Sequence, residues 1–145
     1  MDVLGNYQKL FADLVTKKAA VGWFPSSTYP EEQGGEKVAA VAFKQEFGDR
    51  IIPARPFMRP TVAKQSKHWG VIVKSLIKPD AQAEDVMDLI GLRMQGDIRK
   101  TIAEITTPPL SEFTLERRRE RGNNSEKPLN DTGYMIATLT SVTQG

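Results

Sequence analysis

Residues 80–105 read DAQAEDVMDLIGLRMQGDIRKTIAEI, from Asp80 to Ile105. Ala83, Val86, Met87, Ile90, Met94, Ile98, Ile102 and Ile105 recur at the three- and four-residue spacing that lines one face of an α-helix. The period holds for about six turns, which predicts a long helix and an α-rich fold. Asp80 is placed to cap it after Pro79. Glu84, Asp85 and Asp88 crowd its start and Arg99 and Lys100 its end, the order that the helix dipole favours. Gly91 and Gly96 fall inside it, each disfavoured by ~1 kcal/mol relative to Ala, so a close helix crossing is expected as compensation.

On the N-terminal side a second long helix begins near Arg59-Pro60, with proline in its first turn. Val62, Trp69, Ile72, Val73, Leu76 and Ile77 form its predicted apolar face. Before it, Pro53, Pro56 and Pro60 forbid regular structure, so 49–60 is a stiff, extended connection. Residues 37–47 resume helical spacing through Val38, Val41, Ala42 and Gln45, with Phe43 and Phe47 four apart, and Gly48 is placed to end that helix in the left-handed conformation. Residues 2–16 form another amphipathic helix, through Val3, Tyr7, Leu10, Phe11 and Leu14, with Asp2 as its cap. Ala19 to Phe24 reads as a short strand. The stretch 25–36, with two prolines, two glycines and several acids, reads as a mobile loop.

On the C-terminal side Thr107-Pro108-Pro109 breaks the chain. Thr114 is placed to cap a short basic helix ending near Gly122. Residues 134–139 fit either a short helix or the start of a strand, and 138–143, with β-branched residues at alternate sites, read as a terminal strand. The expectation is one α+β domain over residues 1–145, α-rich, with three or four helices packed on a small, mostly antiparallel sheet.

Composition narrows the chemistry. The chain of 145 residues has no cysteine and one histidine, His68, which excludes thiolate metal sites, thiol nucleophiles and His-rich centres. No apolar run approaches membrane-spanning length, and the start at Met-Asp-Val predicts neither a signal peptide nor a membrane span. His68 has no acid three or four residues away, so nothing in the helix orients it for catalysis. Glu84, Asp85 and Asp88 lack the alternating ligands and central glycine of a calcium loop, and Gly34-Gly35 lacks the Gly-Lys-Ser/Thr of a phosphate loop. No catalytic residue, metal site or cofactor is predicted.

The net charge of +2 hides a segregation. Arg50, Arg55, Arg59, Lys64, Lys67, Lys74 and Lys78 make one segment positive. Asp80, Glu84, Asp85 and Asp88 make the next negative, and Arg117, Arg118, Arg119 and Arg121 form a third, basic knot. Such polarity suits packing between copies, passage near phosphate, or solvated helix faces. The knot reads as a protein interface ahead of nucleic-acid contact, because four arginines on about one turn surround a helix and cannot share one groove. Ile51-Ile52-Pro53-Ala54-Arg55-Pro56-Phe57-Met58-Arg59-Pro60 has two readings. It is a core-crossing loop plugged by Phe57 and Met58, or an interaction surface preorganised by proline.

At this segment the chain resembles the tail-completion or head–tail joining (neck) proteins of tailed bacteriophages, also described as minor tail or virion morphogenesis proteins. The resembling pieces run in order: Val21-Gly22-Trp23-Phe24, Tyr29-Pro30, Val38 to Ala42 leading to Glu46-Phe47-Gly48, then Ile52 to Thr61. They continue with residues 94–109 into Leu110, Thr114-Leu115 with Arg117-Arg118-Arg119, and Lys127-Pro128-Leu129-Asn130-Asp131-Thr132-Gly133. The resemblance implies a structural virion protein without catalytic residues, made in the host cytoplasm and built into the neck or tail. It implies a ring, a hexamer, between head connector or adaptor and tail tube or terminator, with DNA passing through the lumen without sequence-specific contact. Relatives continue the last strand beyond the point matching Gly145, which leaves open whether a neighbouring subunit completes it. The expected protein interface comprises Arg55, Phe57, Met58, Arg59, Asp80, Glu84, Arg117, Arg118, Arg119 and Arg121. A DNA-binding accessory protein using Arg117 to Arg121 is the alternative.

Overall fold

The computed structural model describes residues 2–129, 131 and 133–145. Its elements are α1 (Val3–Leu14), β1 (Lys18–Gly22), α2 (Val38–Phe47), α3 (Met58–Leu76), α4 (Ala83–Glu104), α5 (Glu112–Glu120), α6 (Tyr134–Thr138) and β2 (Thr140–Gln144). Four helices of ten or more residues and two shorter ones pack with a two-stranded antiparallel sheet. The fold is the α-rich α+β class that the periodicity predicts. Asn130 and Thr132, both in the closing motif of the resemblance, lie outside the described residues.

The spine is α4. Its apolar stripe is buried as the spacing requires, at Ala83, Val86, Ile90, Ile98 and Ile102. One side packs on α3, another on the sheet and α1. In the sheet, Lys18 pairs with Gln144 and Gly22 with Thr140. A core cluster of Val38, Ala42, Phe57, Ile98, Ile102, Leu129, Met135 and Leu139 joins α2, α4 and the C-terminal segment. The rings of Trp23 and Phe57 meet edge to face at 5.6 Å, and Trp23 Nε1 donates to the Met135 carbonyl at 2.8 Å.

Several boundaries move for local reasons. Asp80 does not cap α4, because a turn closed by Ala81 N–H on the Lys78 carbonyl delays the helix, and Gln82 holds the cap position. Thr114 does not cap α5. Ser111 does, its Oγ accepting from Thr114 N–H at 3.2 Å, so Thr114 lies inside the helix. Helix α3 starts at Met58, two residues before Pro60, whose missing N–H falls among the unpaired first-turn donors. Thr61 is buried on α3 while Val62 is 44% exposed. The helix turns this way because Thr61 and Trp69 find polar partners on α4, with Thr61 Oγ1 2.6 Å from Thr101 Oγ1 and Trp69 Nε1 2.7 Å from Asp97 Oδ2. Gly48 follows α2 at φ 71° and ψ 173°, a positive φ with an extended ψ rather than the left-handed helical conformation. A Cβ there would stand 2.7 Å from the Ala54 nitrogen, so only glycine fits. Residues 25–36 are closed on themselves by a bridge between Thr28 and Lys37 and by Tyr29 N–H on the Glu36 carbonyl.

The two glycines of α4 differ. A Cβ on Gly91 would lie 3.2 Å from Ser141 Cβ, so the close approach is to strand β2, not to another helix. Gly96 has no atom within 4 Å of that position, and no crossing compensates it. Gly91→Val should therefore lower stability by about 2 kcal/mol through overpacking against β2, read by urea unfolding. Gly96→Ala should stabilise by up to about 1 kcal/mol. A Gly91→Val chain as stable as the parent would show that β2 yields freely.

Candidate functional site

The motifs that lie far apart in the sequence come together around one groove. It begins at Glu46, an acid on the otherwise apolar inner stripe of α2. With only 6% of its side chain exposed, Glu46 accepts from the backbone N–H groups of Phe57 (2.7 Å), Met58 (2.9 Å) and Arg59 (3.0 Å). The carboxylate thus covers the orphan donors that open α3, at the positive end of its dipole. Arg59 closes the arrangement, its Nε 2.9 Å from Glu46 Oε1 and its guanidinium 4.4 Å above the Phe47 ring. Burial pushes the Glu46 pKa up, but the N–H bonds and Arg59 outweigh it and hold the carboxyl below its ordinary 4.5.

Two buried arginines tie the remaining motifs down. Arg55, 5% exposed, donates from Nε to the Pro108 carbonyl at 2.7 Å and from Nη2 to that of Pro109 at 3.2 Å. Arg118, 3% exposed, donates to the carbonyls of Ser125, Lys127 and Pro128 at 3.1, 2.7 and 3.0 Å. Its Nε lies 3.5 Å from Asp131 Oδ1. Both guanidiniums have lowered pKa values, chiefly through desolvation, and Arg118 lowers that of Arg55 further by repulsion. Between α2, the 49–55 connection, α5 and residues 128, 129, 131 and 133–135 they leave a groove of about 840 Å³. Ile51 and Phe113 stand on its walls, 91% and 67% exposed. In its lining the rings of Tyr29 and Tyr134 pack together at 5.1 Å, and Tyr134 Oη donates to the Thr28 carbonyl at 2.8 Å. Burial, with the nearby Asp131 and Glu36 carboxylates, raises the Tyr29 pKa. A smaller cleft of about 250 Å³ lies between α4 and β2.

The expected interface residues do not form one surface. Arg55, Phe57 and Arg118 are inside the protein, because the connection crosses the core and each arginine is consumed by carbonyls. Phe57 fills the core as the loop-plug reading has it, with Met58 half-buried beside it. Arg59 is exposed but engaged by Glu46. Asp80 and Glu84 are exposed at the other end of the molecule's long helices, with Glu84 3.1 Å from Lys17. The basic knot is dispersed. Arg117 lies 5.6 Å over the Phe113 ring, Arg119 is 3.6 Å from Glu112, and Arg121 is 3.0 Å from Asp131. His68 is exposed, with Arg93 Nη2 3.3 Å from its Nε2. Among the described residues no group of three or more His, Cys, Asp or Glu is arranged to hold a metal ion, and no helix is long and apolar enough to cross a membrane.

No protein-family model matches the chain, and no curated protein or solved structure is detectably similar to it. The geometry therefore carries the argument. Sequence reading missed the role of Glu46, whose signal was an acid four residues after Ala42 on a buried stripe. It also missed Asp131 as the shared anion of Arg118 and Arg121, a pairing no local spacing announces.

Proposed function

We propose that the chain is a structural virion protein that forms a ring at the head–tail junction of a tailed phage, meeting the head connector or adaptor on one side and the tail tube or terminator on the other. The observation that carries this reading is the mutual bonding of the resembling motifs. Arg55 of the Pro-rich segment grips Pro108 and Pro109, and Arg118 of the basic helix grips Lys127 and Pro128. Residues that bond each other's backbones serve architecture, which agrees with a joint rather than with chemistry on a substrate.

A ring needs one patch to meet a different patch on the next copy. Helix α3 has no acid between Met58 and Leu76 but carries Arg59, Lys64, Lys67 and Lys74. Helix α4 exposes Asp85 beside Leu89 and Leu92, which are 51% and 59% exposed. These faces are complementary in sign, and we assign the copy-to-copy contact to them, with DNA passing through the lumen. The reading of the basic knot as a DNA grip has less support, since Arg118 is buried and Arg117, Arg119 and Arg121 are engaged by Phe113, Glu112 and Asp131.

The test is a pair of charge reversals, imaged by negative stain and measured by sedimentation velocity with tail-tube and connector proteins present. Lys67→Glu with Lys74→Glu should abolish rings, and so should Asp85→Lys with Leu89→Lys. Mixed, the two variants should regain assembly, because the intact faces pair and the two altered faces are again opposite in sign. A parent chain that stays monomeric with every partner present overturns the ring. Rings that survive both reversals overturn this contact.

A further inference from the structure

We propose that the groove between α2, the 49–55 connection and α5 is a binding site for a short segment of another protein, one that presents a carboxylate beside a bulky apolar side chain. The inference stands apart from the ring, since it rests on the groove alone. Arg55 is the main reason. Its guanidinium is hydrogen-bonded to two neutral carbonyls, but among the described residues no carboxylate lies within ion-pair distance, and Nη1 makes no hydrogen bond. A buried cation with a donor left over and no counter-ion keeps most of its desolvation penalty, which an incoming anion relieves.

The surrounding charges strengthen this. Arg118 and Arg121 also line the groove and share the single carboxylate of Asp131. Lys44 and Glu36 offset each other at 3.9 Å. The lining therefore holds four cations and two carboxylates, a surplus of two positive charges. A free inorganic anion would use the charge but not the walls, where Val41, Leu110 and the exposed Ile51 and Phe113 offer apolar area. At about 840 Å³ the groove has the size of a ligand site for several side chains.

A second copy does not supply the segment. Among the exposed loop acids outside the groove lining, Glu31, Glu32, Asp80 and Glu126 have no exposed large apolar side chain in the same loop, while Asp2, near Leu4, and Asp49, near Ile51, are already engaged by the N–H groups of Gly5 and of Ile51 and Ile52. The occupant is another protein, bound by charge-assisted hydrogen bonds at the floor and apolar contact at the rim.

The experiment titrates the isotope-labelled full chain with the peptide acetyl-Leu-Asp-Phe-amide and its neutral isostere acetyl-Leu-Asn-Phe-amide, following backbone amides and arginine Nε–H signals by NMR. Saturable shifts are expected at Gln45, Arg55 and Phe113 with a Kd of about millimolar order, as suits so small a fragment. The Asn peptide should bind at least about tenfold more weakly, because it loses the charge-assisted bonds. Phe113→Glu and Ile51→Asp, both on the exposed rim, should each weaken the Asp peptide by about tenfold or more, with the thermal midpoint unchanged. Absence of saturable groove shifts, equal affinity for the two peptides, or parent-like binding by both rim variants overturns the proposal. So does sedimentation showing that the parent self-associates and that the rim variants alone dissociate it, which would make the occupant a second copy.

Discussion

Glu46→Ala should unfold in urea with about 3 kcal/mol less stability than the parent. The substitution removes one buried acceptor and leaves the backbone N–H groups of Phe57, Met58 and Arg59 without their carboxylate. It also takes from Arg59 the one carboxylate that pairs with it among the described residues. Methylene burial is a minor part of the loss, because the same geometry predicts that Glu46→Gln keeps an amide oxygen for part of the set and loses about half as much. A Glu46→Ala chain within about 0.5 kcal/mol of the parent would contradict the capping role.

Acid unfolding should show the same group. Folding lowers the Glu46 pKa below 4.5, so the unfolded chain binds more protons in that range. The stabilisation is complete above about pH 4.5 and is lost as pH falls through the lower folded value. Asp49, lowered by N–H bonds from Ile52 and Ile51, acts in the same direction. Urea midpoints measured from pH 6 to pH 3 should fall less steeply in Glu46→Gln than in the parent, with the Asp49 contribution remaining in both.

Arg118→Ala should be at least as damaging, by about 3–5 kcal/mol. Three carbonyls lose their donor inside the protein, and Asp131 loses one of its two arginine partners. The guanidinium is what pins residues 125–128 to α5, so the same variant should speed amide exchange in that segment before the core opens. Arg118→Lys should recover only part of the stability, because a single ammonium cannot span the directions that the planar fork serves. A fully stable Arg118→Ala would show that the segment holds itself in place.

The long helices were legible from spacing alone, because 3.6-residue periodicity is a local property and α4 keeps it without interruption. Turn chemistry was legible for the same reason at Asp2, which caps α1 by accepting from Gly5 N–H. Cap positions were less so where two candidates stood close together. Ser111 and Thr114 offer the same hydroxyl, and only the path of the chain leaving Pro109 decides between them.

The site was legible in its residues but not in their roles. Arg55, Phe57 and Arg118 stand out in the sequence as cations and an aromatic in stiff or crowded segments, which fits a surface as well as an interior. Their burial depends on Pro108, Pro109 and Lys127 to Pro128 arriving with carbonyls free, and these lie far away along the chain. Local sequence thus determined the helices, their order and the α+β class, since each depends on neighbours within a few residues. The tertiary structure alone decided which charges were enclosed, which anion was shared and where the groove stayed open, because electrostatic pairing and burial depend on distance in space, which the spacing of residues does not encode.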